Sequence, residues 1–343
     1  MVISNSHINT SAEVFVASPW IPAEWIRAHG LQPRAILFAP GFGAEVGPLG
    51  AGICAFAQNS LRAAETAAQP AVVFSTHCDQ LRRAFDAIGP GAGTRTFLFN
   101  IPVTTRASVT EKLFHAELGR LGKFLLGLGG RNPTAKVVAR WVDEFSVARR
   151  CLRDAANLHV GRDYARAVAR FHGDGSAGLP LTDLPLERKV TGSTRLAVVG
   201  GPLSPDDPLW DQIEDAGGCV VLNGTEWGER SLGFGTGLHD AYETASAEAP
   251  FPATLSQSFV EHCVDVFQRP NQRLYDWLAE RLRARRVQGI VLWSYFGCDL
   301  WRAEAQTMRE KFGLPLLWLE ADESGSGAER QTNRIQAFVE ALT

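Results

Sequence analysis

The stretch that most constrains this chain runs from Gly289 to Cys298: Gly-Ile-Val-Leu-Trp-Ser-Tyr-Phe-Gly-Cys. A short apolar run rich in β-branched and aromatic residues reads as a buried strand of a parallel sheet. Gly297 lets the backbone turn, and Asp299-Leu300-Trp301 opens a helical pattern. Cys298 therefore stands just past the carboxyl end of a strand, where open α/β sheets place their ligands. The same arrangement occurs at Ala71-Val72-Val73-Phe74-Ser75-Thr76-His77-Cys78, again followed by Asp and a helix. Two strand-end cysteines so far apart in sequence point to one shared site.

Alternation of strand and helix extends along most of the chain. Ala35 to Ala39 reads as the first clear strand, after a helix that Pro22 opens and Gly30 closes. Strands follow at Val72, Thr96, Leu196, Cys219, Ile290 and Leu316. Ser108–Gly127 and Pro133–Phe171 have helical spacing and read as a connector of two or more helices. The stretch before Asn271 is irregular, apart from a helical segment at Cys263. The expected fold is α/β, with two doubly wound parallel-sheet domains of about four strands each, joined by the connector. The expected limits are 1–105, 106–190 and 191–343, with the boundary in the Gly-, Pro- and Asp-rich stretch 173–192.

Composition narrows the functional classes. A net charge of -3 gives no electrostatic case for nucleic acid. No apolar run reaches the roughly 18 residues needed to span a bilayer. Met1 to Thr10 lacks the basic start and apolar stretch of a secretion signal, so a cytoplasmic protein is expected. In that reducing setting the six cysteines should not form structural disulfides. No C-x-x-C pair is present, so a metal site must be assembled from distant cysteines. The glycine-rich stretch 40–52 misses the dinucleotide fingerprint by one residue, and no G-x-x-x-x-G-K-[ST] loop occurs.

The order of motifs resembles the dehydratase-component subunits of the 2-hydroxyacyl-CoA dehydratase family. That family also holds benzoyl-CoA reductase subunits and double-cubane cluster proteins. The resemblance spans nearly the whole chain. It rests on Pro22-Ala23-Glu24 and Ala28-His29-Gly30-Leu31-Gln32-Pro33, on Cys54, and on Thr76-His77-Cys78-Asp79 with Arg82-Arg83. It continues through Gly200-Gly201-Pro202-Leu203, Glu226-Trp227-Gly228-Glu229-Arg230 and Phe296-Gly297-Cys298-Asp299. Its most specific part closes the chain: Gly313-Leu314-Pro315, Leu319-Glu320-Ala321-Asp322, Gln331, Arg334, Ala337-Phe338 and Glu340. The segment before Val14 is shorter than the amino-terminal region of many members, a departure that bears on the exact reaction more than on the cluster.

The resemblance implies that Cys54, Cys78 and Cys298 hold a [4Fe–4S] cluster between the two domains, with one iron free of cysteine. In double-cubane members the same positions, doubled by a homodimer, hold one [8Fe–9S] cluster. It implies a second homologous subunit or a homodimer, and an ATP-hydrolysing iron–sulfur activator that delivers one low-potential electron. The substrate class is an acyl-CoA, turned into a ketyl radical on the way to dehydration or ring reduction. Two alternatives stand beside this: a homodimeric double-cubane reductase or electron-transfer protein, and a cluster subunit that supports a catalytic partner. Ser18 is a candidate donor to the thioester carbonyl, or a helix-entry hydroxyl. Glu226 is a candidate for orienting substrate, or a solvated loop carboxylate. His77 is a candidate proton donor. Arg82 and Arg83 read as surface residues within reach of CoA phosphates or of an acidic neighbour. Trp293 and Trp301 read as water-excluding cover for Cys298. Cys219 reads as core, and Cys151 and Cys263 match no ligand position.

Overall fold

The computed structural model describes residues 12–39, 43, 52–66, 71–88, 95–104, 106–156, 160–174, 193–233, 251–321 and 328–343. Most of the glycine-rich stretch, the expected boundary over 175–192, and Asp322 lie outside these residues. The described residues form two four-stranded sheets, both parallel throughout. The first uses β1 (Glu13–Val16), β2 (Gln32–Ala35), β3 (Ala71–Ser75) and β4 (Thr96–Phe99), in the order β2-β1-β3-β4. The second uses β5 (Thr194–Gly200), β6 (Gly218–Gly224), β7 (Gly289–Tyr295) and β8 (Leu316–Ala321), in the order β6-β5-β7-β8. This is the doubly wound α/β class, with two parallel-sheet domains.

Both faces of each sheet are covered, which explains the unbroken apolar runs of the central strands. Val14 and Val16 of β1 face one core, whereas Phe15 faces the other. In β5, Ala197 and Val199 face one core, and Leu196 and Val198 the opposite one. Crossover helices supply the cover. They are α1 (Ala23–Ala28), α2 (Ala55–Glu65), α3 (Asp79–Ile88), α4 (Ala107–Gly127), α5 (Ala135–Ala155) and α6 (Gly161–Asp174) in the first half. The second half has α7 (Leu209–Asp215), α8 (Phe251–His262), α9 (Gln272–Ala284), α10 (Asp299–Phe312) and α11 (Ala328–Glu340).

Two elements differ from the sequence reading. The second strand is Gln32–Ala35, and Ile36–Phe38 is a single 3-10 turn rather than part of a strand. As the edge strand paired only with β1, β2 accommodates Pro33, which has no N–H to donate. The irregular stretch before Asn271 contains α8, and Cys263 lies just past its end. This helix returns to the first half of the chain: Phe259 stacks on Phe114 of α4 with ring centroids 4.3 Å apart. Leu255, Phe259, Cys263 and Phe267 join Val14, Trp20 and Leu118 in one buried cluster.

A buried ion pair fastens the helical layer. Glu24 of α1 meets Arg149 of α5, with both side chains almost fully enclosed. The guanidinium also lies over the rings of Phe145 and Phe171, at 5.6 and 5.4 Å. Removing one member of such a pair leaves a charge in a poorly solvated place, which typically costs about 3–5 kcal/mol. Glu24→Ala should destabilise the fold by that order in equilibrium denaturation; a loss under about 1 kcal/mol would show that the pair is not a structural anchor.

Candidate functional site

Each sheet has a switch point, between β1 and β3 in the first and between β5 and β7 in the second. Ligands of open α/β sheets collect outside the carboxyl ends of strands at such points. Here the two switch points contribute to one site. Ser18 follows β1, His77 and Cys78 follow β3, Gly201 follows β5, Glu226 follows β6 and Cys298 follows β7.

The three cysteines share a local design. Cys54 caps the start of α2, Cys78 directly precedes α3, and Cys298 caps the start of α10. Amides of the first helical turn stand near the sulfurs, those of Ala57 and Phe56 at Cys54, of Leu81 and Gln80 at Cys78 and of Trp301 at Cys298, although neither Cys54 nor Cys298 makes a side-chain capping hydrogen bond. Such amides favour a thiolate. The loops are also tied together, since the Cys54 amide donates to Gln80 Oε1 at 2.9 Å. Across the gap between the sheets, Tyr295 of β7 packs on Phe56 at 5.9 Å. Cys78 senses both Cys54 and Cys298 electrostatically, and Cys54 senses Cys298.

Burial outweighs the amides. It pushes the Cys54 thiol up to about 11, and raises Cys78 and Cys298 above their ordinary value. All three are free cysteines, as are Cys151, Cys219 and Cys263. Among the described residues, no group of three or more His, Cys, Asp or Glu closes on the point that a single metal ion would need. Thiolates bound to different irons of a cluster stand farther apart than the ligands of one ion, because each ~2.3 Å bond ends on its own metal atom. An all-sulfur donor set of this kind fits iron–sulfur chemistry.

A polar network lies beside the thiols. His77 is buried, with Nδ1 2.7 Å from Ser75 Oγ and Nε2 3.4 Å from Glu226 Oε1. Burial alone would lower the pKa of this imidazole, but the Glu226 carboxylate, helped by Asp265, raises it above the usual value. Glu226 is only 6% exposed, so it is not a solvated loop carboxylate. Its Oε1 has no hydrogen-bond partner; the approach of His77 is an electrostatic contact without hydrogen-bond geometry. A buried carboxylate oxygen left this way is the kind of group a ligand satisfies.

Arg230 is fully buried and holds the network in place. It donates to the carbonyls of Gly224 at 2.8 Å, Gly200 at 2.7 Å and Val264 at 3.2 Å, and pairs with Asp265 at 3.0 Å. Asp265 in turn accepts from Trp20 Nε1 at 2.8 Å. The strand end at Gly200 admits no side chain: with φ +150°, a Cβ there would lie 1.8 Å from the Trp293 carbonyl oxygen.

The remaining candidates fall as follows. Ser18 is fully buried, and its hydroxyl accepts the Trp20 amide at 3.4 Å in the turn that precedes α1, whose N-cap is Pro22. Arg82 and Arg83 are exposed and pair with Asp79. Trp293 and Trp301 are both buried; Trp301 belongs to the apolar cluster against which Cys298 packs, and Trp293 to the cluster on the other face of the sheet. Cys219 is half-buried, Cys263 is fully enclosed beside Asp265, and Cys151 is exposed. Sequence reasoning did not single out Trp20, Asp265 or Tyr295. Arg230 stood in a quoted motif, but without a role.

The family described as 2-hydroxyglutaryl-CoA dehydratase, D-component, matches residues 20–342, and the chain belongs to that family. No curated protein matches it. Cys54, Cys78, Glu226 and Cys298 lie inside the matched span, and Ser18 lies just before it. No described helix is long and apolar enough to cross a membrane.

The raised thiol values have a consequence for the metal-free protein. A group with a raised folded pKa contributes stability that is full below its unfolded value and lost as pH rises through the folded one. For Cys54 that window runs from about pH 9 to about pH 11. At ~1.4 kcal/mol per unit the loss is on the order of 2–3 kcal/mol. Urea denaturation near both ends of the window should show a smaller loss for Cys54→Ala than for the wild type. Equal losses would mean that the Cys54 thiol is not held in the protonated form.

Proposed function

We propose that this chain is the iron–sulfur subunit of an enzyme that dehydrates 2-hydroxyacyl-CoA thioesters, working with a homologous partner subunit and an ATP-hydrolysing activator protein. The observation that carries the reading is the meeting of three thiols, each at the start of a helix and drawn from both sheets, beside a buried, unsatisfied carboxylate oxygen. Cys54, Cys78 and Cys298 would hold a [4Fe–4S] cluster. When bound, it would supply one-electron chemistry and an iron without a cysteine that is open to a substrate oxygen.

The chain's own groups have separate tasks. Trp301, in the apolar cluster that Cys298 packs against, would help keep water from that thiol. Amides at the starts of α2, α3 and α10 would favour negative charge on the three sulfurs when they serve as thiolate ligands. The pair of His77 Nε2 and Glu226 Oε1 can hold a proton where a substrate hydroxyl would leave or a carbon acid would be deprotonated. Arg230 fixes the ends of β5 and β6, the second of which carries Glu226. The absence of a phosphate-binding GK[ST] loop from the sequence agrees with ATP use by the activator.

The test is anaerobic reconstitution with iron and sulfide. The wild type should bind both, Cys78→Ala and Cys298→Ala should lose most of the iron, and Cys219→Ala should keep it. Turnover of a 2-hydroxyacyl-CoA should need the partner, the activator, ATP and a strong reductant, and should stop in air. Equal iron in all the variants would refute the ligand set. Sustained turnover in air without an activator would refute the mechanism.

A further inference from the structure

Ser75 ends β3, in register with Phe99 of β4. Side chains alternate along a strand, so Ser75 shares a face with Val73. Val73 lies in the buried cluster that also holds Phe259 and Phe267. An apolar residue would suit that face, yet position 75 carries a fully buried hydroxyl. Such a group is costly unless it is hydrogen-bonded. Its Oγ stands 2.7 Å from His77 Nδ1.

The backbone between the two residues is tied down. The Thr76 amide donates to the Phe99 carbonyl at 3.0 Å. The Thr76 hydroxyl donates to Asn100 Oδ1 at 2.9 Å and accepts the Ile101 amide at 3.0 Å. The His77 ring packs on Phe267 with centroids 5.1 Å apart, and its Nε2 faces Glu226 Oε1 at 3.4 Å. Both ring nitrogens therefore face oxygen. A carboxylate only accepts, so the nitrogen that approaches it carries the hydrogen. In a neutral imidazole Nδ1 is then the acceptor, and the Ser75 hydroxyl is its donor. The partner of one ring nitrogen sets where the hydrogen sits on the other.

We propose that Ser75 is a positioning residue whose hydroxyl donates to His77 Nδ1, fixes the tautomer with hydrogen on Nε2 and keeps that nitrogen turned to Glu226. This rests on the role given above to the His77–Glu226 pair. The row Ser75, His77, Glu226 has the members of a nucleophilic triad, but the Ser75 hydroxyl is enclosed and out of a substrate's reach. It acts on the ring alone. A ring free to turn about its own axis would present Nε2 to Glu226 only part of the time, and misplacement on the scale of ~1 Å is enough to slow proton transfer severely.

The experiment has two arms. The first is nitrogen NMR of the metal-free protein, labelled in its histidine rings, with the His77 signals identified by their loss in His77→Gln. When the ring is neutral, Nε2 should carry the hydrogen and Nδ1 should show the shift of a hydrogen-bonded acceptor, which Ser75→Ala moves toward that of a free one. Hydrogen on Nδ1 in the wild type would overturn the proposal. The second arm is turnover of a 2-hydroxyacyl-CoA by the reconstituted protein with its partner subunit and activator. Ser75→Ala should bind as much iron as the wild type and lose roughly tenfold in kcat, with KM within about twofold. Ser75→Thr, which keeps the hydroxyl, should recover most of that loss, and in a His77→Gln background Ser75→Ala should cost nothing further. An unchanged kcat in Ser75→Ala would overturn the proposal. So would an equal loss in the His77→Gln background, or loss of folding or iron in Ser75→Ala, since the hydroxyl would then be structural. Absence of turnover in the wild type would overturn the proposed function instead, and the NMR arm would still decide where the hydroxyl acts.

Discussion

The site depends on a single buried cation. Arg230 has no contact with water, yet four of its interactions reach separate places: the end of β5, the end of β6, the Val264 carbonyl and the Asp265 carboxylate. A guanidinium taken out of water is stable only when its donors are used and its charge is met. Here both conditions fix geometry. Asp265 carries the restraint on to Trp20, just after β1 of the other sheet. The Trp301 ring, beside Cys298, lies under the guanidinium at 4.9 Å. One side chain thus registers the strand ends of the two sheets against each other, with the thiols and Glu226 held between them.

Two opposing effects act on the thiols. Helix-start amides favour the anion, whereas burial favours the neutral thiol, and burial wins in the metal-free protein. This balance suits a site that awaits a cation-rich group. If the proposed cluster binds, protons would leave with metal uptake and the amides would then act on sulfurs that carry charge. The same enclosure keeps the His77–Glu226 pair close together and dry. Enclosure also strengthens every charge effect at the site, because little solvent remains to screen it.

Legibility in the sequence followed the physics of each element. β3 and β7 were readable because a strand covered on both faces must be apolar at consecutive positions. Cys78 and Cys298 were readable because each follows such a run and precedes a helix. The edge strand β2 was not, since Gln32, Pro33 and Arg34 carry no strand pattern and the apolar triplet after them draws the eye. Helix α8 was hidden by Pro252, Ser256 and Ser258, although its packing on α4 is extensive. Cys54 was named as a ligand through family resemblance rather than pattern, whereas Glu226 drew notice by following a strand end. Arg230, Asp265 and Trp20 gave no local signal, because a buried charge network is defined by partners up to 245 positions apart. Tyr295 looked like any aromatic residue at the end of a strand.

The most direct measurement is anomalous scattering at the iron edge from crystals of the anaerobically reconstituted protein. The account predicts an iron cluster bounded by the sulfurs of Cys54, Cys78 and Cys298. Iron held by Cys151, Cys219 or Cys263, or no iron between the two sheets, would contradict it.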